Sequence, residues 1–493
     1  VIIGGGMSGL CAAIASAREG AKPVLVQDRP VFGGNASSEM RMHISGASCH
    51  WGKKNASETG ILMELMLENK YLNDNYNYSV WDAVLWGAAK REKNLTIYLN
   101  TTMETVHSDG KEIQWVDCYQ MTTEKRFAIE GKIYMDCTGN GTLGYFAGAE
   151  YAIGREGKKI YNEKDAPEDC DGETMGNTLY YVAEDKGHPV KFIKPDWAMT
   201  LDESDFVGRT HFNAVTYHDD EKVIYLPYDV DYHDYPDKLL EKYDVKSGFW
   251  WIELGGEMDT IHDAQTINEE LIKTAYGVWD HIKNHGDHGM ENWELEWIGF
   301  LPGKRESRRY EGEYILTQQD LEEGHTFSDA VAFGGWTMDN HNPKGFKYLG
   351  YSSHHIAVKV PYQIPFRCLY SRNVPNLMFA GRNISATHMA MSSTRVMATC
   401  AVIGQAAGTG AALAISKKCA PADITVLHMD QLQQQLLEDG CFIPGFNRNI
   451  SGNVCFDLTS AETEILNNGW DRPHDGNANT IMRPDGSSLT MTL

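Results

Sequence analysis

The chain lacks the paired cysteines of redox relays and zinc ribbons. It has 493 residues and 10 cysteines, and no two cysteines form a CxxC pair. This scatter argues against a dithiol redox centre and against a thiolate zinc site. The Asp and His pairs show no regular ligand spacing either, so we predict no metal site.

Basic residues and long apolar runs are also scarce. The 44 Lys and Arg stand against 68 Asp and Glu, which gives a net charge of −24 without any basic stripe. Nucleic acid and anionic membrane surfaces are therefore unexpected partners. No apolar run approaches the roughly 18 residues of a membrane span. The overall composition, 42% hydrophobic and 23% charged, is typical of a soluble globular protein.

An initiator methionine is missing, because the sequence opens at Val1 within an apolar run that predicts a strand. We expect residues upstream of this point. The lack of a signal peptide therefore leaves the compartment open between cytoplasm and periplasm or secretion.

The first motif is a glycine turn in "VIIGGGMSGL". Gly4, Gly6 and Gly9 stand in GxGxxG spacing after a strand and before a predicted helix over residues 10–19. The first glycine permits the tight turn, the second lets the backbone approach a pyrophosphate, and the third allows close helix–strand packing. Alone, the motif predicts any dinucleotide, and a purely structural turn is the alternative.

Three further regions extend this site. "RPVFGGNASSE" offers small hydrogen-bonding residues, "DCTGNGT" is a turn after a strand, and "NLMFAGR" with "GQAAGTGAA" predicts a strand and a helix of small residues. Contacts from both ends of a chain suit an extended FAD better than NAD, which needs only the first motif. The predicted cofactor-binding residues are Gly4, Gly6, Gly9, Gln27, Asp28, Arg29, Gly33, Gly34, Asn35, Ser37, Ser38, Glu39, Thr138, Gly139, Gly381, Arg382, Gly404 and Gln405.

These motifs resemble those of FAD-dependent oxidoreductases of the glutathione-reductase-like superfamily. The nearest branch carries a signature like "GGNASSE … GKRESRR … GRNISATH", and fumarate reductase and succinate dehydrogenase flavoproteins are more distantly similar. The resemblance spans roughly residues 1–440 and implies FAD as the cofactor. It also implies that the backbone of Met103 lies near the adenine.

Gln27 departs from the superfamily pattern, which has a Glu at the end of the second strand to accept both ribose hydroxyls. Gln27 can accept through its carbonyl, and we expect weaker ribose recognition with Arg29 free to approach the phosphates. Asp28 comes one position late, and strand alternation would point it away. A Gln27→Glu variant is expected to bind FAD at least as well, while a purely structural Gln27 is the alternative.

The predicted architecture is α/β. A Rossmann-like FAD-binding domain is built from both ends of the chain and carries an inserted α+β substrate domain. The predicted segments are residues 1–155 and 350–420 for the FAD-binding domain and 156–349 for the insertion. Residues 421–493 are predicted as a helix and a polar tail, and the tail could be the start of an accessory β module.

Several histidines are candidates for the catalytic base, since the histidine pKa lies near neutrality. His43 and His50 follow the phosphate loop, and either could face the flavin, carry a covalent bond to it, or be an ordinary buried histidine. His341 in "WTMDNHNP" and His355 in "SSHHIAV" lie where the substrate domain should meet the flavin. Loop hydrogen bonding is the alternative for both.

Arginines mark two further candidates. The resemblance to fumarate reductases implies that His388 and Arg395 in "ISATHMAMSSTRV" bind a substrate anion beside the flavin, with a structural loop role as the alternative. Arg305 in "GKRESRRYEGEY" could clamp an anionic group. An internal Arg–Glu network that braces the domains is the alternative there.

We therefore predict an FAD-dependent dehydrogenase or oxidase that acts on a polar, hydroxylated small molecule. A carbohydrate or glycoside is the best candidate, because the insertion is rich in Trp, Tyr, Asp and His. The alternatives are a carboxylate dehydrogenase or reductase, redox-neutral flavin-assisted glycoside cleavage, and a non-catalytic FAD-binding module. The electron acceptor stays open, and a homo-oligomer is possible.

Overall fold

The computed structural model describes most of the chain. The described residues are 1–49, 54–209, 211, 215–218, 221–224, 248–286, 288–449, 455–456, 458–466, 468–470 and 491–492. His50 and much of the polar tail lie outside them, so the predictions for His50 and for an accessory β module are not addressed by the fold.

The described chain contains both helices and strands, including runs of consecutive strands and of consecutive helices. The α-helices are Met7–Arg18, Ile61–Leu72, Tyr78–Arg91, Thr142–Ala147, Lys158–Tyr161, Ala264–Asn284, Gln318–Glu323, His388–Thr394, Met397–Lys417, Pro421–Leu427, Met429–Glu438 and Ser460–Leu466. Short 3₁₀ turns are Gly34–Ala36, Ala47–Cys49, Lys54–Ala56, Glu203–Phe206, Gly345–Lys347 and Phe366–Cys368. The strands are Ile2–Ile3, Val24–Val26, Thr96–Tyr98, Thr101–Ser108, Ile113–Gln120, Lys125–Glu130, Tyr134–Asp136, Tyr151–Ala152, Asn177–Thr178, Tyr181–Asp185, Val215–His218, Glu221–Ile224, Glu253–Leu254, Trp293–Ile298, Gly303–Lys304, Arg309–Tyr310, Ala330–Gly334, Met338–His341, Ser353–Ile356, Tyr362–Pro365, Leu377–Phe379, Cys455–Phe456 and Met491–Thr492.

A five-stranded parallel sheet forms the centre of the mixed α/β fold. Its spatial order is Leu377–Phe379, Tyr134–Asp136, Ile2–Ile3, Val24–Val26 and Thr96–Tyr98. The strand at one edge therefore comes from the far end of the chain. The loops that leave the carboxyl ends of these strands converge at one edge of the sheet, which is where open α/β folds bind ligands.

Two helices made of small residues pack tightly against each other over this sheet. Gly404 and Gly408 of helix Met397–Lys417 face the first helix, Met7–Arg18. A Cβ on Gly404 would lie 2.1 Å from the Ser8 carbonyl oxygen. The long helix is apolar enough to cross a bilayer, but 89% of its most apolar stretch is buried inside the protein. Its hydrophobicity is explained by this packing.

A second hydrophobic core lies within the predicted insertion. It is built around helix Ala264–Asn284, whose Trp279 is fully buried, and the antiparallel pair Tyr181–Asp185 and Trp293–Ile298. Residues 310–338, by contrast, supply side chains to the first core, including Tyr310 and Leu316. The domain boundaries stay a prediction, while the two cores show where the chain packs separately.

Candidate functional site

A cavity of about 1280 Å³ runs from the first glycine turn to the strand Met338–His341. Ligand pockets for small molecules usually measure about 300–1,000 Å³, so this cavity has room for a group larger than a single small substrate. Most of the predicted site residues lie on its wall. These are Gly4, Gly6, Gln27, Asp28, Arg29, Gly33, Gly34, Asn35, Ser37, Glu39, His43, Met103, Thr138, Gly139, Arg305, His341, His355, Gly381, Arg382 and Arg395.

The three glycines of the first turn have three different surroundings. Gly4 has a φ of +102°, and a Cβ there would lie 2.2 Å from the Cys137 carbonyl oxygen. Gly6 lines the cavity and a Cβ on it would meet nothing within 4 Å, so the backbone is open to a ligand. Gly9 packs against the Gly4 carbonyl oxygen, 1.9 Å from an added Cβ, and lies off the cavity wall. Gly6 is thus the position where a ligand can approach the helix N-terminus.

Gln27 and Asp28 both lie on the cavity wall, but they differ in burial and in hydrogen bonding. The Gln27 side chain is buried, its Oε1 accepts from the Gly5 N–H at 2.6 Å, and its Nε2 donates to the Val31 carbonyl at 3.1 Å. Gln27 therefore connects the two phosphate loops, which agrees with the structural role that was the alternative to ribose recognition. Asp28 is exposed on the cavity wall with its carboxylate 3.8 Å from Arg29. The expectation that Asp28 points away was wrong, because the strand ends at Val26 and its alternation does not continue.

The second phosphate loop, residues 29–39, contacts the first one, the glycine turn of residues 4–9. Gly33 has a φ of +100° and Gly34 a φ of +58°, and the Gly33 N–H donates to the Gly5 carbonyl at 2.9 Å. Asn35 reaches across the cavity and donates to the Lys304 carbonyl at 3.2 Å. Ser38 lies off the cavity wall, where its backbone N–H donates to Asp82 at 3.1 Å. The loop therefore presents Asn35, but not Ser38, to a ligand.

Two cations in the cavity wall have no ion-pair partner among the described residues. Lys304 and Arg382 lie side by side, and each has Asn140 Oδ1 at 3.5 Å. Burial, together with the nearby Arg382, lowers the pKa of Lys304 to about 8. The Nε of Arg382 is buried and meets no acceptor in the described part of the chain. In a protein of charge −24, such a pair is fitted to an anionic group such as a diphosphate.

Six charged or titratable side chains lie close together at the other end of the cavity, and we call them the polar cluster. Its members are Glu253, Arg305, Asp339, His341, His355 and Arg395. His341 lies between two carboxylates, with Nδ1 at 2.7 Å from Glu253 and Nε2 at 3.0 Å from Asp339. Arg305 pairs with Glu253 at 3.4 Å, and Arg395 pairs with Asp339 at 3.0 Å. Two arginines and two carboxylates thus balance at this end.

Burial and pairing shift the pKa values of several groups in the polar cluster, including Asp339 and His355. Burial opposes ionisation of Asp339, but His341 and Arg395 hold its pKa well below the usual range. Burial lowers the pKa of His355 from its ordinary value of 6.5, although Asp339 opposes the shift. His355 Nδ1 is 3.0 Å from the Thr337 hydroxyl, and its Nε2 is 3.2 Å from the Ser353 hydroxyl. A neutral imidazole between two hydroxyls can accept a proton near neutral pH.

His388 does not reach the cavity, so its predicted substrate-side role was wrong. Its Nδ1 is 3.0 Å from Glu306 and its Nε2 is 3.0 Å from Asn340, and the residue is 1% exposed. Glu306 also pairs with Arg309 at 2.5 Å, and Arg309 pairs with Glu156 at 2.6 Å. Glu306 and Arg309 of the "GKRESRR" segment thus form an internal Arg–Glu network with Glu156, whereas Lys304 and Arg305 line the cavity.

Gly404 and Gln405 of the small-residue helix lie off the cavity wall, although the first turn of this helix borders the cavity. Gly404 lies against Ser8 of the first helix, and Gln405 Oε1 accepts from the Ile61 N–H at 2.8 Å. Neither residue lies on the cavity wall. The motif "GQAAGTGAA" serves helix packing, and the wall on this side is formed by Val396, Met397 and Cys400 instead.

Sequence reasoning missed the carboxylate Glu253 and the aromatic lining. Glu253 comes 52 positions before Arg305, its partner in the folded chain, so no local sequence pattern marked it. Trp250, Trp251 and Trp336 line the cavity beside the polar cluster, and the Trp250 ring meets His341 edge-on at 5.4 Å. The only sequence signal for them was the general richness in Trp and Tyr.

The described residues fit a long dinucleotide. Gly6 gives backbone access at a helix N-terminus, Asp28 offers a carboxylate at one end, and Arg382 has an orphaned donor between the two ends. Comparison with known proteins agrees with this fit, since the family model "FAD dependent oxidoreductase" matches residues 1–436.

Solved structures give weaker likenesses. A geranylgeranyl bacteriochlorophyll reductase-like protein from Thermoplasma acidophilum is 12% identical, with 89% of this chain and 84% of that one covered and a TM-score of 0.38. THI4 from Thermovibrio ammonificans is 18% identical over 34% and 74% of the two chains, with a TM-score of 0.22. The myxobacterial chondrochloren halogenase CndH is 15% identical over 38% and 44%, with a TM-score of 0.25.

A search of curated proteins gave no match. Because the TM-scores all lie below 0.5, the assignment rests on the family match, which covers most of the chain. The chain belongs to the FAD dependent oxidoreductase family: it is an enzyme, and its cofactor is FAD.

Proposed function

We propose that the enzyme is a dehydrogenase or oxidase whose substrate is a neutral, hydroxylated small molecule, with a carbohydrate or glycoside as the best candidate. The observation that carries this proposal is the charge balance of the polar cluster. Arg305 and Arg395 each have a carboxylate partner, Glu253 and Asp339 respectively. A site built for a dicarboxylate would instead leave a guanidinium available for the substrate.

The cavity wall supports the same proposal. Trp250, Trp251 and Trp336 offer flat apolar faces, while Asp339 and Ser353 offer acceptors and a hydroxyl within the same cavity. Sugars combine apolar ring faces with rings of hydroxyl groups, so aromatic faces next to carboxylates suit them. Aromatic and polar groups in one concave site also fix the orientation of a ligand.

The cofactor would be held by the glycine turns, and the fold around it would be Rossmann-like. Gly6, Gly33 and Gly34 would take the diphosphate at the helix N-terminus. Asp28 would accept from the ribose hydroxyls, and Lys304 with Arg382 would neutralise the phosphates. The bound FAD supplies a hydride acceptor for a substrate C–H bond.

The polar cluster would handle the substrate proton. His355 is the best base, because burial lowers its pKa and keeps the imidazole neutral at neutral pH. It would take the hydroxyl proton directly or through Ser353, which lies on the cavity wall 3.2 Å away. His341 is held from both sides by carboxylates, so it would orient Asp339 and Glu253 rather than act as the base.

Anaerobic mixing of the holoenzyme with matched substrates tests this proposal. The panel would pair polyols, sugars and glycosides with dicarboxylates of the same chain length, and bleaching of the oxidised-flavin band would be followed. We expect bleaching by members of the first group alone. Bleaching by dicarboxylates alone would overturn the proposal, and product formation without any electron acceptor would identify redox-neutral cleavage.

A further inference from the structure

Four metal-ligating side chains meet in the insertion, away from the cavity. Glu203, His211, His281 and His288 each offer one ligand atom, and these four atoms lie within 4.8 Å of one another. We propose that they bind one divalent transition-metal ion of the zinc class. This proposal departs from the sequence-based prediction of no metal site, because the four ligands are spread over 86 positions without regular spacing.

The imidazoles of His211 and His281 are oriented by carbonyl groups. His211 Nδ1 is 3.0 Å from the Arg209 carbonyl oxygen, and His281 Nδ1 is 3.3 Å from the Leu201 carbonyl oxygen. A carbonyl oxygen only accepts, so each Nδ1 carries the proton and donates it. Metal-ligating histidines are held in this way, with the second ring nitrogen turned toward the metal.

Both Nε2 atoms then face the same carboxylate. His211 Nε2 is 3.1 Å and His281 Nε2 is 3.3 Å from Glu203 oxygens. A neutral imidazole that donates through Nδ1 has a lone pair at Nε2, which repels a carboxylate oxygen. The contact is favourable only when each ring takes a second proton or when a cation lies between nitrogen and oxygen. One divalent ion satisfies both rings at once.

The crowding of the rings favours a metal over several protons. The ring centres of His211, His281 and His288 lie 5.0–5.4 Å apart, with His288 at 5.0 Å from His211 and 5.1 Å from His281. Two or three imidazolium charges at that spacing would repel each other, and Glu203 supplies a single negative charge. Three neutral imidazoles and one carboxylate around a divalent ion remove that repulsion.

The ligand type and the distances fit zinc. Imidazole nitrogen and carboxylate oxygen bind zinc at about 2.0–2.2 Å in tetrahedral sites, which places neighbouring donor atoms about 3.3–3.6 Å apart. The two Nε2–Glu203 distances of 3.1 and 3.3 Å lie close to this range. Complete coordination requires the four donor atoms, which lie within 4.8 Å of one another, to approach to this spacing, and one of them belongs to His288, which follows helix Ala264–Asn284.

The position of the site suggests what the ion would do. Phe206 stacks on both His211 and His281, with ring centres at 4.2 and 4.4 Å, so the ligands are packed into the second core. The Glu203 side chain is 72% exposed and gives the ion a route from solvent. Gly208 and Arg209 lie on the cavity wall, between Glu203 and His211 in sequence. The ion would therefore fasten this part of the cavity wall to helix Ala264–Asn284.

Metal analysis of tag-free holoenzyme tests the proposal. The protein would be stripped with a chelator, titrated with Zn²⁺ by calorimetry, and its zinc content measured per flavin after gel filtration. We expect one zinc per chain. The Glu203→Gln and His288→Ala variants should bind zinc at least about tenfold more weakly, and zinc should raise the melting temperature of the wild-type protein but not of these two variants.

His285→Ala is the matched control, because His285 is an exposed neighbour that pairs with Asp280 and stands outside the four ligands. Flavin content and circular dichroism would establish that each variant folds. Substitution of Co²⁺ should give tetrahedral absorption bands at wavelengths longer than those of the flavin. Absence of stoichiometric zinc in the wild-type protein would overturn the proposal, and so would a loss of zinc in His285→Ala equal to that in His288→Ala.

Discussion

Arg395 and Asp339 are joined twice, since Nη2 of Arg395 donates to both the backbone oxygen and Oδ2 of Asp339 at 3.0 Å. The two residues come from different elements, the strand Met338–His341 and the residue that follows helix His388–Thr394. The guanidinium that the family resemblance implied for a substrate anion is therefore already neutralised. This pairing is what makes a neutral substrate the better proposal.

The Asp339→Asn variant tests this relationship. It keeps the shape of the side chain but leaves the Arg395 charge uncompensated in a buried position. We expect a loss of about 3–5 kcal/mol in the free energy of unfolding, the usual result of breaking a buried pair. A dicarboxylate should then bind more tightly, as measured by its perturbation of the flavin spectrum.

Asp329→Asn is the control for that experiment. Asp329 is buried and pairs with Arg367 at 3.0 Å, and neither residue lines the cavity. It should lose stability without any gain in affinity for dicarboxylates. An equal gain in both variants would show that the Arg395 pairing does not govern substrate charge.

The superfamily pattern predicts that position 27 binds the ribose. We expect instead that Gln27→Glu lowers the stability of the protein and that Asp28→Asn weakens FAD binding. A Glu at 27 cannot donate to the Val31 carbonyl, and its buried carboxylate would face that oxygen at about the 3.1 Å now occupied by a hydrogen bond. We expect Gln27→Glu to lose about 1–3 kcal/mol of stability. Asp28→Asn should leave the melting temperature of the apoprotein unchanged and weaken FAD binding, measured by titration of apoprotein with FAD. Tighter FAD binding by Gln27→Glu would show that Gln27 is the ribose ligand after all.

The sequence predicted the parallel sheet and the phosphate loops because these depend on local chemistry. Gly4 and Gly33 have φ angles of +102° and +100°, a conformation that favours glycine, so the glycine motif itself indicates these turns. The orientation of Asp28 depended instead on where a strand of three residues ends. The side-chain partners of His388 depended on Glu306 and Asn340, which are brought to it by tertiary packing. A motif read without its packing partners cannot distinguish a ligand-facing histidine from a buried one.

Arg382→Met tests the two unpaired cations. Arg382 and Lys304 offer the positive charge that a diphosphate requires, and Arg382 Nε has no acceptor among the described residues. Hydrogen bonds to charged groups contribute about 1.5–3 kcal/mol, so we expect roughly 10- to 150-fold weaker FAD binding. The matched control is Arg126→Met, an exposed arginine paired with Glu104 on the strand hairpin, which should bind FAD as the wild-type protein does. Equal FAD affinity in both variants would show that the diphosphate does not bind at Arg382.

We expect acidification to lower both the stability of the protein and the rate of flavin reduction through protonation of His355, the proposed base. Its folded-state pKa is lowered from 6.5, so below pH 6.5 the unfolded chain takes up a proton that the folded protein resists. The contribution of His355 to stability is therefore complete above pH 6.5 and is lost as the pH falls toward the folded-state pKa. The His355→Gln variant should show a flatter stability profile in this range, measured by denaturant unfolding at several pH values.

The catalytic readout of the same variant is independent. A base that accepts a proton in the transition state contributes about 10²–10⁴-fold, so flavin reduction should slow by that factor and lose its acid limb. His354→Gln is the control, because His354 is an exposed neighbour on the same strand. An unchanged acid limb in His355→Gln would assign the base to another residue.

Gly404→Ala distinguishes a packing role from a cofactor role for the small-residue helix. An alanine is the better helix former by about 1 kcal/mol, but its Cβ would lie 2.1 Å from the Ser8 carbonyl oxygen, and backbone on backbone cannot yield cheaply. We expect a net loss of about 1–3 kcal/mol in unfolding free energy, the usual cost of overpacking a core, with the flavin content unchanged well below the melting temperature. Gly172→Ala, where an added Cβ meets nothing within 4 Å, should leave both stability and flavin content as they are. Loss of flavin from Gly404→Ala without loss of stability would show that Gly404 contacts the cofactor.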